Sequence, residues 1–189
     1  MTSKNLFFDQ SKLKRCGKGC IIGLTARIRK PEKVSLGTNS IIDDFTYIPC
    51  ELAMGSYSHI GSGCHLIGGK GKVTIGNFVN IAPGCNIVTA QDDYRGGGLT
   101  GAAVPEKYSG KAIVEPVHIG DHALLGCGTV VLPGVKIPEG MAAGALTLLN
   151  KQKYEPWTLY AGIPAKKVGR RDGALIKAQA KKLLQEEGE

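Results

Sequence analysis

Large aliphatic residues recur at every sixth position along most of the chain: Leu36, Ile42, Ile48, Met54, Ile60 and Leu66, then Ile75, Ile81 and Ile87, then Ile119, Leu125, Val131, Ile137, Ala143 and Leu149. The register slips by three over residues 67–74 and is interrupted by a long stretch, 88–118. Glycine often follows the aliphatic, as at Gly37, Gly55, Gly61, Gly76, Gly120, Gly126 and Gly144. Four residues after the aliphatic stands a small or modest side chain, as at Ser40, Thr46, Ser58, Cys64, Cys85, Ala123, Thr129 and Thr147. A helical stripe repeats every 3.6 residues and a plain strand every two, so a sustained period of six fits neither alone. Six is a multiple of two: a short strand and a turn per hexad point every aliphatic inward, and three such edges close a triangular coil. Glycine is expected to supply the corner backbone that residues with a Cβ resist. Coils stack at the inter-strand spacing of roughly 4.8 Å, each pairing with those above and below. A two-sheet sandwich would need all these in-register positions to arise by accident.

Stacking predicts neighbours. Ile42, Ile60 and Ile81 fall on one inward column, and Ile48, Leu66 and Ile87 on another. The residue before each aliphatic faces out, so His59 lies beside Asn80, and His65 beside Asn86. The chain divides into an N-terminal segment 1–19, a β-helix 20–165 of about six coils with a protruding loop 88–118, and a tail 166–189. The tail is helical from about 171 to 187, with an apolar stripe of Leu175, Ile176, Ala180, Leu183 and Leu184 suited to docking on an assembled oligomer.

Composition sharpens this reading. Glycine, 27 of 189 residues, is about twice its usual share and is spread along the chain, as regularly spaced turns require. The net charge of +8 gathers at the two ends, with Lys12, Lys14, Arg15 and Lys18 in one cluster and Lys166, Lys167, Arg170, Arg171, Lys177, Lys181 and Lys182 in the other. The nearly neutral middle argues against nucleic acid as partner and leaves ligand phosphates near the C-terminal end as the use for that cluster. Six cysteines (Cys16, Cys20, Cys50, Cys64, Cys85, Cys127) form no disulfide framework and no paired CxxC motif, which points to reduced thiols in a cytoplasmic protein. No run approaches about 18 apolar residues and the N-terminus lacks a signal-peptide core, so no membrane insertion is expected.

The hexads, with the endings VHIGDHALLGCGTVVLPGVKIPEG and LYAGIPAKKV, resemble the left-handed β-helix acyltransferases over about residues 20–170. The likeness is greatest to the galactoside and maltose type of sugar acetyltransferase and to relatives in surface polysaccharide (O-antigen, capsule, lipopolysaccharide) biosynthesis. It implies an all-β, left-handed parallel β-helix and a homotrimer with active sites between subunits. It also implies acetyl-CoA as co-substrate, without a metal, and a sugar or nucleotide-linked sugar acceptor acylated on a hydroxyl or an amine. The handedness comes from the resemblance, since periodicity alone is silent and right-handed crossovers are the general rule.

Acyl transfer from a thioester needs a base, a donor for the oxyanion and exclusion of water. Relatives of the galactoside and maltose type place a histidine after the last strand before the loop. Alignment on Val73–Gly76 puts Asp92 there, and the loop has no histidine before His118. The candidate bases are therefore Asp92, Asp93, His59 and His65. A missing loop histidine favours an amine acceptor, which needs less help. Ser62 aligns with a sugar-binding asparagine of the family, and Asn80, Asn86, Tyr94, Arg95 and Glu106 are further substrate-binding candidates. The resemblance assigns Gly126, Cys127, Gly144, Ala145, Asn150 and Lys151 to the pantetheine arm, and Lys166 and Arg170 to the nucleotide phosphates. GGKGKVTIG is no P-loop, because Lys72 precedes Val73 and leads into a strand. His118 and His122 invite comparison with zinc-dependent carbonic anhydrases of the same fold, but their spacing matches that ligand pattern poorly. A non-catalytic trimeric scaffold is the remaining alternative.

Overall fold

The computed structural model describes residues 8–188; residues 1–7 of the N-terminal segment and Glu189 lie outside them. The chain winds into a triangular prism with three parallel sheets as its faces. The first face stacks Arg15–Cys16, Val34–Leu36, Glu51–Met54, Lys72–Ile75, Val117–Ile119 and Lys136–Ile137. The second stacks Ile21–Ile22, Ile41–Ile42, His59–Ile60, Asn80–Ile81, Leu124–Leu125, Ala142–Ala143 and Thr158–Ala161, and ends in the antiparallel Lys166–Arg170. The third stacks Arg27–Ile28, Tyr47–Ile48, His65–Ile67, Asn86–Val88, Val130–Val131 and Leu148–Leu149. This makes six complete coils and a partial seventh. The first coil begins at Arg15, which pairs with Ser35.

Each sixth residue points inward and is almost wholly buried: Ile42, Ile60 and Ile81 are 0% exposed, as are Ile48, Leu66 and Ile87. Both expected columns form, with Ile42 against Ile60, Ile60 against Ile81, and Leu66 against Ile87. The outward pairs His59–Asn80 and His65–Asn86 form as well. The three-residue slip is real: Lys72–Ile75 pairs with Glu51–Met54, 21 residues earlier.

The glycine after each aliphatic serves a different purpose from the one expected. Its φ is not left-handed; a Cβ on Gly37 would lie 2.4 Å from the Ser56 nitrogen, and one on Gly126 2.5 Å from the Ala145 nitrogen, both in the next coil. Glycine there permits coils to approach. The left-handed position comes two residues later and carries Asn39, Phe45, Tyr57, Phe78, His122 and Leu146 as well as Gly63, Gly84 and Gly128. The small residue at the fourth place also has a polar reason. Ser40 Oγ donates to the Gly55 carbonyl at 2.6 Å, Ser58 Oγ to Gly76 at 2.8 Å and Thr46 Oγ1 to Gly61 at 3.2 Å. Turn carbonyls inside the prism are thereby satisfied.

At the corner between first and second faces, the left-handed residues stack their rings. Tyr57 and Phe78 lie 5.3 Å apart, Phe78 and His122 5.2 Å, and His122 and Trp157 5.8 Å. Stacking of about 0.5–1.5 kcal/mol per pair offsets the backbone strain. The helix Ala174–Glu187 lies along this ladder, its Leu175, Ile176, Ala180 and Leu183 lining a groove with Phe78 and His122. Arg171 Nη1 donates to the His122 and Gly140 carbonyls at 2.7 and 3.1 Å, and Lys177 pairs with Glu139 at 2.9 Å. The stripe thus faces its own chain's aromatic corner across an open groove, with Leu175 still 69% exposed.

The arm leaves after Val88 and returns at Val117, its root an antiparallel pair of Ala90–Gln91 with Ile113–Val114. Val117–Ile119 then pairs with Val73–Ile75 as the next coil.

Candidate active site

Most of the candidate residues share one edge, the corner between second and third faces. His59 opens the second-face strand His59–Ile60, Ser62 turns the corner and His65 opens the third face, all within one coil. Asn80 and Asn86 stand on the coil above. Gly126 and Cys127 hold the same corner one coil higher, and Gly144 and Ala145 the next, because Gly126 N donates to the Ala143 carbonyl and Leu146 N to the Cys127 carbonyl. The segment Gly162–Lys166 crosses the top of this edge, with Ala165 N donating to the Leu148 carbonyl at 2.9 Å. The edge is smooth in its upper coils, with Cys127 exposed. From His65 to Ala145 it rises by three strand spacings, roughly 14 Å.

One base candidate has a partner absent from the sequence reading. His59 Nε2 lies 2.8 Å from Asp43 Oδ2, with both side chains about two-fifths exposed, at 39% and 41%. Coil arithmetic could have found Asp43: Ile42 and Ile60 stack, so the residues flanking them share one face. His65 has no carboxylate partner among the described residues; it meets the Tyr47 ring edge-on at 6.5 Å.

The other candidates lie elsewhere in the single chain. Asp92, Asp93, Tyr94 and Arg95 stand in the arm, which departs from the corner between third and first faces, one face away from His65. They line a cleft of about 790 Å³ with Lys111 and Glu115. Asp92 accepts from Gly101 N at 3.0 Å and Asp93 from Arg95 N at 2.9 Å, so both carboxylates shape the arm itself. Glu106 sits 3.7 Å from Lys70 on the exposed surface. Lys151 reaches the arm's root and pairs with Glu115 at 2.8 Å. Neighbouring Asn150 has its Oδ1 buried without a hydrogen-bond partner among the described residues, an acceptor suited to an amide N–H of a pantetheine arm. Lys166 stands near this edge, whereas Arg170 lies at the far end of the same strand against Thr158. Across the third face, between the two groups of residues, the upper coils present Val130, Leu132 and Leu148, all half-buried.

His118 faces out from the first face beside Thr74, and His122 is held in the aromatic stack. Among the described residues no group of three or more His, Cys, Asp or Glu is placed to hold a metal ion.

This arrangement, a histidine–carboxylate pair beneath a smooth corner of small side chains, offers a proton acceptor next to a track for an extended thioester arm. The sequence is 35% identical over 156 residues to the dTDP-4-amino-4,6-dideoxy-D-glucose acyltransferase of Escherichia coli, a match covering 79% of this chain and 78% of that protein. Its fold superposes with a TM-score of 0.88 on AntD, an N-acyltransferase from Bacillus cereus in complex with dTDP and 3-hydroxybutyryl-CoA, at 29% identity over 97% of this chain and 99% of that one. A maltose O-acetyltransferase from Clostridium difficile shares the fold at a TM-score of 0.58 and 19% identity, covering 86% of this chain and 72% of that one. No protein-family model matches the sequence. The chain therefore belongs to the hexapeptide-repeat sugar acyltransferases, left-handed β-helix enzymes that move an acyl group from a coenzyme A thioester to a sugar.

Proposed function

We propose that this enzyme acylates the amine of a nucleotide-linked amino sugar, with His59 as base and Asp43 as the group that orients it. The observation that carries the reading is the His59–Asp43 contact at 2.8 Å on the corner that leads up to Gly126, Cys127, Gly144 and Ala145. Similarity to the E. coli dTDP-4-amino-4,6-dideoxy-D-glucose acyltransferase and to the B. cereus N-acyltransferase, which binds dTDP, supports the acceptor class.

In this reading the amine nitrogen attacks the thioester carbonyl carbon, a C–N bond forms, and the oxyanion gathers on the former carbonyl oxygen. Asn80, one coil above His59, is the side-chain donor nearest in register to receive that charge. Collapse breaks the C–S bond; His59 takes the proton from nitrogen and returns it to the departing sulfur. Asp43 holds the imidazole in one orientation through the 2.8 Å contact.

The working unit is a homotrimer in which the arm of one subunit, with Asp92, Asp93, Tyr94 and Arg95, covers the corner of the next. Two observations support this. The two groups of candidate residues are separated by a whole face within one chain, and Phe45 and Leu146, on the catalytic edge, are 70% and 69% exposed, large apolar groups that a neighbouring chain would cover. A cytoplasmic setting, where acyl-CoA is made, and a role in surface polysaccharide synthesis complete the reading. No helix among the described residues is long and apolar enough to cross a membrane.

The test is a thiol-release assay with acetyl-CoA across dTDP- and UDP-linked amino sugars, the corresponding hydroxyl sugars and simple galactosides. Turnover restricted to the amino sugars supports the proposal, and turnover on free galactosides alone refutes it. Light scattering gives the subunit number in the same preparation.

A further inference from the structure

The outward side of the third face changes character with height. Arg27 and Arg29 stand on the lowest coil, Tyr47 above Arg27, and His65 above Tyr47. Beyond Asn86 the column turns apolar with Val130 and Leu148. Arg29 Nη1 donates to the Tyr47 hydroxyl at 3.3 Å, and the Tyr47 ring meets His65. Neither arginine is in an ion pair among the described residues; the same holds for Lys14, Arg15, Lys18 and Lys33 at this end of the prism, but those lie off the outward side of the third face, and Lys12 faces Asp9, Lys30 donates to the Gly69 carbonyl and Lys72 holds Glu51. The nearby carboxylates are also taken. Asp43 is bound to His59, and Asp44 accepts from the Thr25 amide and hydroxyl, which hold it below the usual carboxylate range. Glu32 sits around the next corner in the short turn Pro31–Lys33.

Two guanidinium groups on one face, free of carboxylates and steadied by a phenol, suit the paired oxygens of a diphosphate. Height gives the second reason. Arg27 and Arg29 lie two coils below His65, roughly 10 Å at strand spacing, which is the scale of the distance between a hexose ring substituent and the diphosphate at its anomeric carbon. The basic Lys166 crowns the opposite end of the same edge.

We propose that Arg27 and Arg29 grip the diphosphate of the nucleotide-linked acceptor, with Tyr47 positioning Arg29. The acceptor then lies along the N-terminal coils, the acyl donor along the C-terminal coils, and the two meet at His59 and His65. This rests on the acceptor being a nucleotide sugar.

The experiment is calorimetric titration of the full-length protein with dTDP, alongside the KM for acetyl-CoA. Arg27→Ala and Arg29→Ala should each weaken dTDP binding by about 10- to 100-fold, the loss of one charge-assisted contact to phosphate. Arg29→Lys should recover only part of the loss, because it keeps the charge without the fork. Lys18→Ala removes the same charge at a corner off the third face and should leave binding within about twofold, as should the acetyl-CoA KM in every variant. Unchanged dTDP affinity in both arginine-to-alanine variants overturns the placement and leaves the nucleotide-sugar reading standing. A wild-type protein that acetylates free sugars and does not bind dTDP overturns both.

Discussion

Replacing Asp43 by Asn, and His59 by Ala, separately and together, tests whether the pair on the proposed catalytic corner works as a unit. The contact is short, 2.8 Å, but both side chains are about two-fifths open to water. A hydrogen bond to a charged group contributes about 1.5–3 kcal/mol, and this exposure places it at the lower end. Asp43→Asn keeps the shape and removes the charge, so kcat should fall by about tenfold. His59→Ala removes the proposed base and should lower kcat by about 10²- to 10⁴-fold with little change in the KM for acetyl-CoA. Because Asp43 acts through the imidazole, the double variant should be no slower than His59→Ala alone. Loss of the thioester's ultraviolet absorbance follows turnover, and circular dichroism checks the fold. A His59→Ala enzyme within about threefold of wild type would remove His59 from the chemistry, since general-base loss is far larger. A further tenfold loss from Asp43→Asn in the His59→Ala background would show that Asp43 acts elsewhere.

Three other outcomes follow from the packing. Ile81 is 0% exposed between Ile60 and Leu125, so Ile81→Ala should destabilise the protein by about 2–5 kcal/mol in urea denaturation and Ile81→Val by about 0.5–1.5; equal effects would contradict a close-packed prism. At pH 8, Cys127 should react rapidly with a thiol reagent. Cys50, wholly buried and with its thiol pushed up to about 11 by that burial, should react only on unfolding, and protection of Cys127 by coenzyme A would confirm the track. Protection of neither thiol would move the donor elsewhere. Trp157→Ala removes the ring that Arg171 and Lys177 lie over, so the helix Ala174–Glu187 should become sensitive to limited proteolysis while the prism stays folded. Cleavage no faster than in wild type would show that the Arg171 bonds to carbonyls and the Lys177–Glu139 pair hold the helix without the ring.

The prism was legible because its signal is redundant. Each coil repeats the same demand for an inward aliphatic, and even the slip at 67–74 could be counted. What glycine does at the turns was not legible, because the clash it avoids is with a residue 18 or more places along the chain. The outward pairs His59–Asn80 and His65–Asn86 were found by stacking arithmetic, and the same arithmetic carried one residue further would have reached Asp43. The arm defeats such counting. Asp92 and Asp93 have no period to fix them, and their carboxylates engage the arm's own backbone. The helix stripe was visible but the aromatic corner it lies beside was not, since the ladder joins Tyr57, Phe78, His122 and Trp157 across a hundred residues of sequence.

The arm between Val88 and Val117 interrupts the winding without disturbing it, for the strand on its far side takes the place the next coil would have taken anyway. Length and composition can therefore change beyond Thr89, which is buried and donates to the Ile67 and Gly68 carbonyls, without altering the winding. If the arm covers the acceptor as proposed, a homologous arm grafted between Thr89 and Pro116 should retune which sugar is chosen and leave the framework as an inherited part.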